Sequence, residues 1–237
     1  MSIKSFGLTH VQYDTNDSYG SILALFSLTP IFIIIMFTTL IVFRRDFQTI
    51  FSVIGQMICV GINLILKHLI KQPRPIFHEQ YNMNMNMNNN INTNDNVNVL
   101  ESEYGMPSNH AQFICHFSTY YSMQFLLKCW SLPFIYRLNY TICLIGLATI
   151  TSYSRFHLHY HTMEQVLIGC VVGCISGFIW YILSNSTNIM SKVICRQEWA
   201  KWIGLRDYSV GIGYSPIDEY HAMNTHQNQR IQRNKSN

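Results

Sequence analysis

Charge is scarce in this chain. Only 12% of its 237 residues are Asp, Glu, Lys or Arg, where a soluble domain carries about 25%. With an apolar share of 49% and a slightly positive mean hydropathy, that deficit excludes an ordinary water-soluble domain and points to the bilayer. A dense basic run is missing too. The formal net charge of +4 therefore leaves no footprint for nucleic acid. The seven cysteines, Cys59, Cys115, Cys129, Cys143, Cys170, Cys174 and Cys195, form no CxxC pair and fall mostly in apolar stretches. Zinc knuckles and redox motifs are excluded on that pattern, and the thiols read as small hydrophobes. No basic region precedes the first apolar run, so a cleaved signal peptide is not expected.

The apolar runs that are present set the architecture. Residues 21–43 carry no charge and are long enough to span a bilayer, for which about 20 apolar residues suffice. Pro30 inside this run predicts a kink. Residues 47–66 make a second span, with Gln56 and Asn63 seven apart on one face, turned toward other helices. A third span is expected from Ala111 to Leu127, a fourth from Phe134 to Tyr153, and a fifth from Val166 to Leu183. The fifth carries Gly169, Gly173 and Gly177, a small-residue ridge suited to close helix packing. The expected fold is all-α: a polytopic membrane bundle of about five transmembrane helices. Its membrane domain covers residues 21–185 and follows a lumenal N-terminal segment, 1–20. Residues 82–98 are an asparagine-rich insert that buries too little to order itself. Residues 186–208 mix Trp199 and Trp202 with basic residues, as an interfacial helix does. Residues 209–237 read as a disordered tail.

Five spans alternate sides. Arg44, Arg45, Lys128 and Arg137 fall on one side with the basic residues after span five, and this side is cytosolic by the bias of Lys and Arg toward cytosolic loops. Three short stretches reach the other side: KHLIKQPRP, with Lys67 and Arg74; YGMPSNH, with Ser108, Asn109 and His110; and SRFHLHYH, with Arg155, His157, His159 and His161. Arginine forks match phosphate oxygens in pairs and lysine adds a point charge. One histidine can attack phosphorus and a second can protonate the leaving oxygen. The helix start after Pro107 offers free N–H groups to an anion. These residue types suggest phosphoryl transfer at a membrane surface. Two other readings compete. Imidazoles at alternate positions can ligate zinc or copper, but no carboxylate or cysteine on that side completes a metal set. A lone arginine can contact lipid head groups, but that leaves the convergence of three stretches unexplained.

The three stretches together resemble the type 2 phosphatidic acid phosphatase superfamily, with its pattern KxxxxxxRP, then PSGH, then SRxxxxxHxxxD. Lys67 to Arg74-Pro75 has the full spacing. Residues 107–110 read PSNH, with Asn109 in place of glycine. Ser154-Arg155 and His161 fit the third element, with Gln165 where the aspartate is expected. That glutamine, with the wording KHxIxxPRP and YGMPSxHxQF, is similar to the dolichyl-diphosphate phosphatase branch. The resemblance implies His161 as nucleophile, His110 as general acid, and Gln165 as the group that orients the nucleophile. It also implies a phosphate cradle of Lys67, Arg74, Ser108, Asn109 and Arg155, with no metal and no cofactor. The implied partners are a polyprenyl diphosphate lipid and the bilayer, at the lumenal face of the endoplasmic reticulum. Asn109 is expected to replace glycine because asparagine tolerates left-handed backbone angles. His157 and His159 match no catalytic position and are expected to pack the loop or touch the lipid surface. Two alternatives stay open on sequence: a phosphatase of phosphatidate or a sphingoid phosphate, and an inactive relative acting as a lipid-binding scaffold.

Overall fold

The computed structural model describes residues 3–5, 12–14, 17, 19–75, 104–130 and 132–186. The asparagine-rich insert, the expected interfacial helix and the tail lie outside them. A two-stranded antiparallel hairpin opens the described chain, β1 (Ile3–Ser5) with β2 (Gln12–Asp14), Ile3 facing Asp14. This is a small departure from the all-α expectation. Six helices follow: α1 (Gly20–Ser27), α2 (Thr29–Arg44), α3 (Phe47–Ile70), α4 (Asn109–Lys128), α5 (Phe134–His157) and α6 (Met163–Ser186).

The first expected span is two helices. The chain breaks at Leu28, which caps both α1 and α2, and Pro30 sits in the first turn of α2, where a missing N–H costs nothing. Arg45, in the left-handed region at φ 50°, ends α2. Asp46 then caps α3 by accepting from the Thr49 N–H at 3.2 Å.

Among the described residues, four stretches are long and apolar enough to cross a membrane: Gly20–Arg44, Phe47–Ile70, Phe134–His157 and Met163–Ser184. The expected third span, now α4, is not among them. It has the length, since 20 residues at 1.5 Å each cover about 30 Å, but it lacks the composition. The reason is its place. α4 packs against α2, α3, α5 and α6, and most of its residues are buried, so other helices surround it where lipid surrounds them.

A polar seam runs down α4 at every fourth residue: Gln112, His116, Tyr120 and Gln124. Gln112 accepts from Asn63 Nδ2 at 2.7 Å and donates to the Cys59 carbonyl at 2.8 Å. His116 Nδ1 pairs with Ser176 Oγ at 3.0 Å. Gln48 bonds both Tyr120 and Ser184, and Gln124 donates to Ser184 Oγ at 3.2 Å. Within the bilayer such groups must find partners inside the protein. The expected inward turn of Gln56 and Asn63 is what is found, both being buried. α6 reaches α4 through its glycines. A Cβ on Gly169 would stand 2.7 Å from the Ser108 carbonyl oxygen, and one on Gly177 would stand 2.6 Å from that of His116.

Candidate active site

All three polar stretches meet at one end of the bundle, opposite Arg44, Arg45 and Lys128. Each is placed by the way a helix ends or begins. α3 stops at Lys71, left-handed at φ 51°, whose N–H still bonds the Lys67 carbonyl at 3.0 Å. The chain then runs extended. Pro73 bridges Tyr104, and Gly105 N–H donates to the Gln72 carbonyl at 2.7 Å. This ties the stretch holding Arg74 to the one holding Ser108.

Ser108 occupies the N-cap of α4 but makes no side-chain cap. A serine there usually bonds the N–H groups of the first turn. Here the hydroxyl is buried and has no partner among the described residues, and the same is true of Arg74 Nε and Arg155 Nε. Three buried donors without a partner among the described residues, at the positive end of a 20-residue helix, are an arrangement that suits an anion. Asn109 is the first residue of α4, and among the described residues the left-handed non-glycine positions are Arg45, Lys71 and His159. The expectation that a left-handed backbone lets asparagine replace glycine is therefore wrong. The position is ordinary helix, which any residue can adopt.

α5 ends in a tight reversal. His159 takes φ 57°, and the N–H groups of Tyr160 and His161 both donate to the Arg155 carbonyl, each at 3.2 Å. Arg155 and His161 are thereby locked to each other. The Arg155 guanidinium lies over the Tyr160 ring, 4.1 Å from its centre. Lys67 is half-buried nearby, and its charge, with those of Arg74 and Arg155, bears on His161.

Gln165 organises the centre. It is fully buried, and both ends of its amide are engaged. Nε2 donates to the Pro73 carbonyl at 2.9 Å and to Gln72 Oε1 at 3.3 Å. Since a backbone carbonyl can only accept, the NH2 end must face Pro73. Oε1 then faces His161 Nδ1 at 3.2 Å and also accepts from the Thr162 N–H at 3.2 Å. An amide oxygen cannot donate, so Nδ1 carries the ring proton and the lone pair lies on Nε2. A main-chain carbonyl on one stretch thus fixes the tautomer of a histidine on another. Thr162 returns the bond, its hydroxyl accepting from the Gln165 N–H at 3.4 Å. Thr162 to Gln165 is a capping box at the start of α6. Glu164 beside it is exposed. Gly105 completes the seat, since a Cβ there would fall 2.6 Å from Gln165 Nε2.

Burial and the charges of Arg155 and Arg74 push the His161 pKa from its ordinary 6.5 down to about 3. The imidazole is neutral wherever the pH is above that. Burial lowers the pKa of Arg74 as well, but guanidinium stays charged.

One contributor is absent from the motifs. Ser27, buried at the end of α1, accepts from Arg155 Nη1 at 3.2 Å. Around it, Thr151 Oγ1 lies 3.3 Å from Thr29 Oγ1, His157 Nε2 meets Asp17 Oδ2 at 2.6 Å, and Ala24 and Leu28 pack with Leu158 and Tyr160. His157 therefore braces the loop through a hydrogen bond that lowers the Asp17 pKa, while His159 is exposed. The sequence gives no signal for Ser27, a small residue in an apolar run. As a positioning residue it should matter modestly. Ser27→Ala is expected to lower kcat/KM roughly 2- to 12-fold, the equivalent of one hydrogen bond worth about 0.5–1.5 kcal/mol, and Ser27→Thr should restore it. A lower melting temperature with unchanged kcat/KM in Ser27→Ala would reduce the contact to packing.

Long apolar helices that gather cationic side chains and a tautomer-locked histidine at one end define a class of polytopic helical membrane proteins. The chain belongs to the PAP2 superfamily, whose model matches residues 46–188. It is 34% identical over 184 residues to dolichyldiphosphatase 1 of Mus musculus, covering 75% of this chain and 70% of the relative. It is 35% identical over 213 residues to dolichyldiphosphatase 1 of Dictyostelium discoideum, covering 85% and 82%. Lipid phosphate phosphatase gamma of Arabidopsis thaliana is 34% identical over 215 residues, covering 87% and 85%. No solved structure matches the chain significantly. α1 and Ser27 lie ahead of the residues that the family model matches.

Proposed function

We propose that this multi-pass membrane protein hydrolyses dolichyl diphosphate to dolichyl phosphate and phosphate through a phosphohistidine. The observation that carries the reading is the alignment of a neutral His161, with Nε2 as its nucleophilic nitrogen, beside the unpartnered donors of Arg74, Ser108 and Arg155. The terminal phosphoryl group is held by Lys67, Arg74, Arg155, Ser108 and the first N–H groups of α4, including that of Asn109. Nε2 attacks the terminal phosphorus, and the bond to the bridging oxygen breaks. Burial and the charge of Arg155 hold the His110 pKa well below its ordinary value in the free site. His110 therefore takes up a proton only as the anionic diphosphate fills the seat and offsets those cations, and it passes that proton to the bridging oxygen as dolichyl phosphate leaves. Water, deprotonated by His110, then attacks the phosphohistidine and frees phosphate. The three cationic side chains supply the charge stabilisation that phosphoryl transfer demands. The relatives named dolichyldiphosphatase support the choice of lipid. The basic residues at the opposite end of the bundle support a lumenal site, and the implied setting is the endoplasmic reticulum, where the carrier of protein N-glycosylation is recycled.

The relative named lipid phosphate phosphatase gamma supports a second reading, hydrolysis of another lipid phosphate. Phosphate release by the purified full-length protein, with EDTA present, separates the two. Dolichyl diphosphate is expected to exceed phosphatidate and a sphingoid phosphate by at least tenfold in kcat/KM, a gap of about 1.4 kcal/mol. Preference for phosphatidate or the sphingoid phosphate overturns the first reading, and no release from any of them favours a scaffold. Arg155→Ala should lose one to two decades, as one charge-assisted contact of roughly 1.5–3 kcal/mol implies.

A further inference from the structure

α5 and α6 each pack closely on α4 and only loosely on each other. Between them lies a groove of about 580 Å³ floored by α4, within the roughly 300–1,000 Å³ of ligand sites. Its α5 wall runs from Thr141 to Phe156, which at 1.5 Å per residue is roughly 22 Å, most of the hydrocarbon thickness. The many hydroxyls of the lining do not make it polar. Ser118 donates to the Leu144 carbonyl at 2.9 Å, Thr141 to that of Arg137 at 3.0 Å and Thr149 to that of Ile145 at 2.9 Å. These side chains show the groove their carbon atoms.

We propose that this groove holds the isoprenoid chain of the lipid whose head group occupies the anion seat. The inference rests on the functional reading above. Continuity picks the occupant. Tyr153, Phe156, Met163 and Val166 line the upper end of the groove, and they flank Ser154, Arg155, His161 and Gln165 in sequence. Arg155, His161 and the upper end of the groove meet at the turn that joins α5 to α6. An extended, methyl-branched chain with no polar group along it suits a long, narrow slot with no unmet donors on these three hydroxyls. Of the six α4 residues in the floor, four are small, Cys115, Ser118, Thr119 and Ser122, beside Met123 and Leu126, and the small ones leave depth where larger side chains would fill it.

The groove carries its own reporters. Cys115, Cys170 and Cys174 line it, and Cys174 is exposed. Cys143 is exposed too but is not part of the lining. In phosphatidylcholine nanodiscs holding the full-length protein, a long-chain polyprenyl monophosphate should slow alkylation of Cys174 by a lipophilic maleimide several-fold and leave Cys143 unchanged. Equal rates at Cys174 with and without the polyprenyl lipid would overturn the proposal, because ordinary bilayer lipid would then fill the groove as well. This arm needs no turnover, so a protein inactive on diphosphates would fail the functional reading and still report on the groove. The kinetic arm fills the groove from its exposed walls with Thr149→Trp and, independently, Cys174→Trp. Each should raise KM for dolichyl diphosphate roughly tenfold, the equivalent of about two buried methylene groups, while hydrolysis of short, water-soluble geranyl diphosphate changes less than twofold. Equal effects on long and short substrates, or no effect on either, would overturn it.

Discussion

His161→Ala is expected to lower turnover by roughly 10⁴-fold or more, the scale of losing a nucleophile rather than a contact, while the bundle still folds. The side chain sits in the turn between α5 and α6 and makes one recorded hydrogen bond, to Gln165 Oε1. Its removal does not strand that oxygen, which still accepts from the Thr162 N–H, so the stability cost is about 1 kcal/mol. The same geometry sets two further readouts. With Nδ1 protonated, brief exposure of wild type to substrate followed by quenching in base should yield phosphate on the Nε2 atom of His161. With the pKa pushed down to about 3, the free imidazole is neutral across physiological pH. kcat/KM should then show no acid limb near the ordinary histidine value of 6.5 attributable to this residue. Turnover in His161→Ala within tenfold of wild type removes it as nucleophile, and a label on Nδ1 refutes the tautomer.

Gln165→Ala is expected to lower kcat about 10- to 100-fold, as removal of an orienting partner does, with KM little changed because the amide sits behind the imidazole. Glu164→Ala should stay near wild type, since Glu164 is exposed. Gln165→Glu is the more exacting variant. It keeps the shape and an acceptor for His161, and it adds the charge that an aspartate would bring. It also replaces the donor that faces the Pro73 carbonyl and Gln72 Oε1, setting acceptor against acceptor. It should therefore be impaired although it looks more like the family pattern. Gly105→Ala, which crowds the same amide, should fall with it. A Glu164→Ala variant more damaged than Gln165→Ala would mean that the orienting group is misassigned.

Most of the scaffold is legible in the sequence, because spans facing lipid must be apolar over a fixed length and because the three polar stretches carry their own spacing. The limits have physical causes. Hydropathy measures contact with lipid, and α4 has little, so length alone revealed it. Asn109 stands in the first turn of α4, which does not require the left-handed backbone expected there. For Gln165 the local half of the answer was there, since Thr162-x-x-Gln165 is a capping signature. The other half is a carbonyl on Pro73, 92 residues away in sequence, and no local pattern reports that. The brace from α1 is hidden for the same reason: Ser27 matters only because Arg155 lies against it.

The seam on α4 also bears on how far this protein can be cut down. A helix with glutamine, histidine, tyrosine and glutamine along one edge has no comfortable resting place in a sheet of hydrocarbon. Its edge is satisfied by α3 on one side and α6 on the other, so removing either neighbour leaves polar groups facing acyl chains. α4 in turn carries Ser108 and His110 at its head. The active end therefore has no smaller stable edition, no two-helix fragment that keeps the chemistry, and the bundle is indivisible for the same reason that its centre is wet in composition and dry in place.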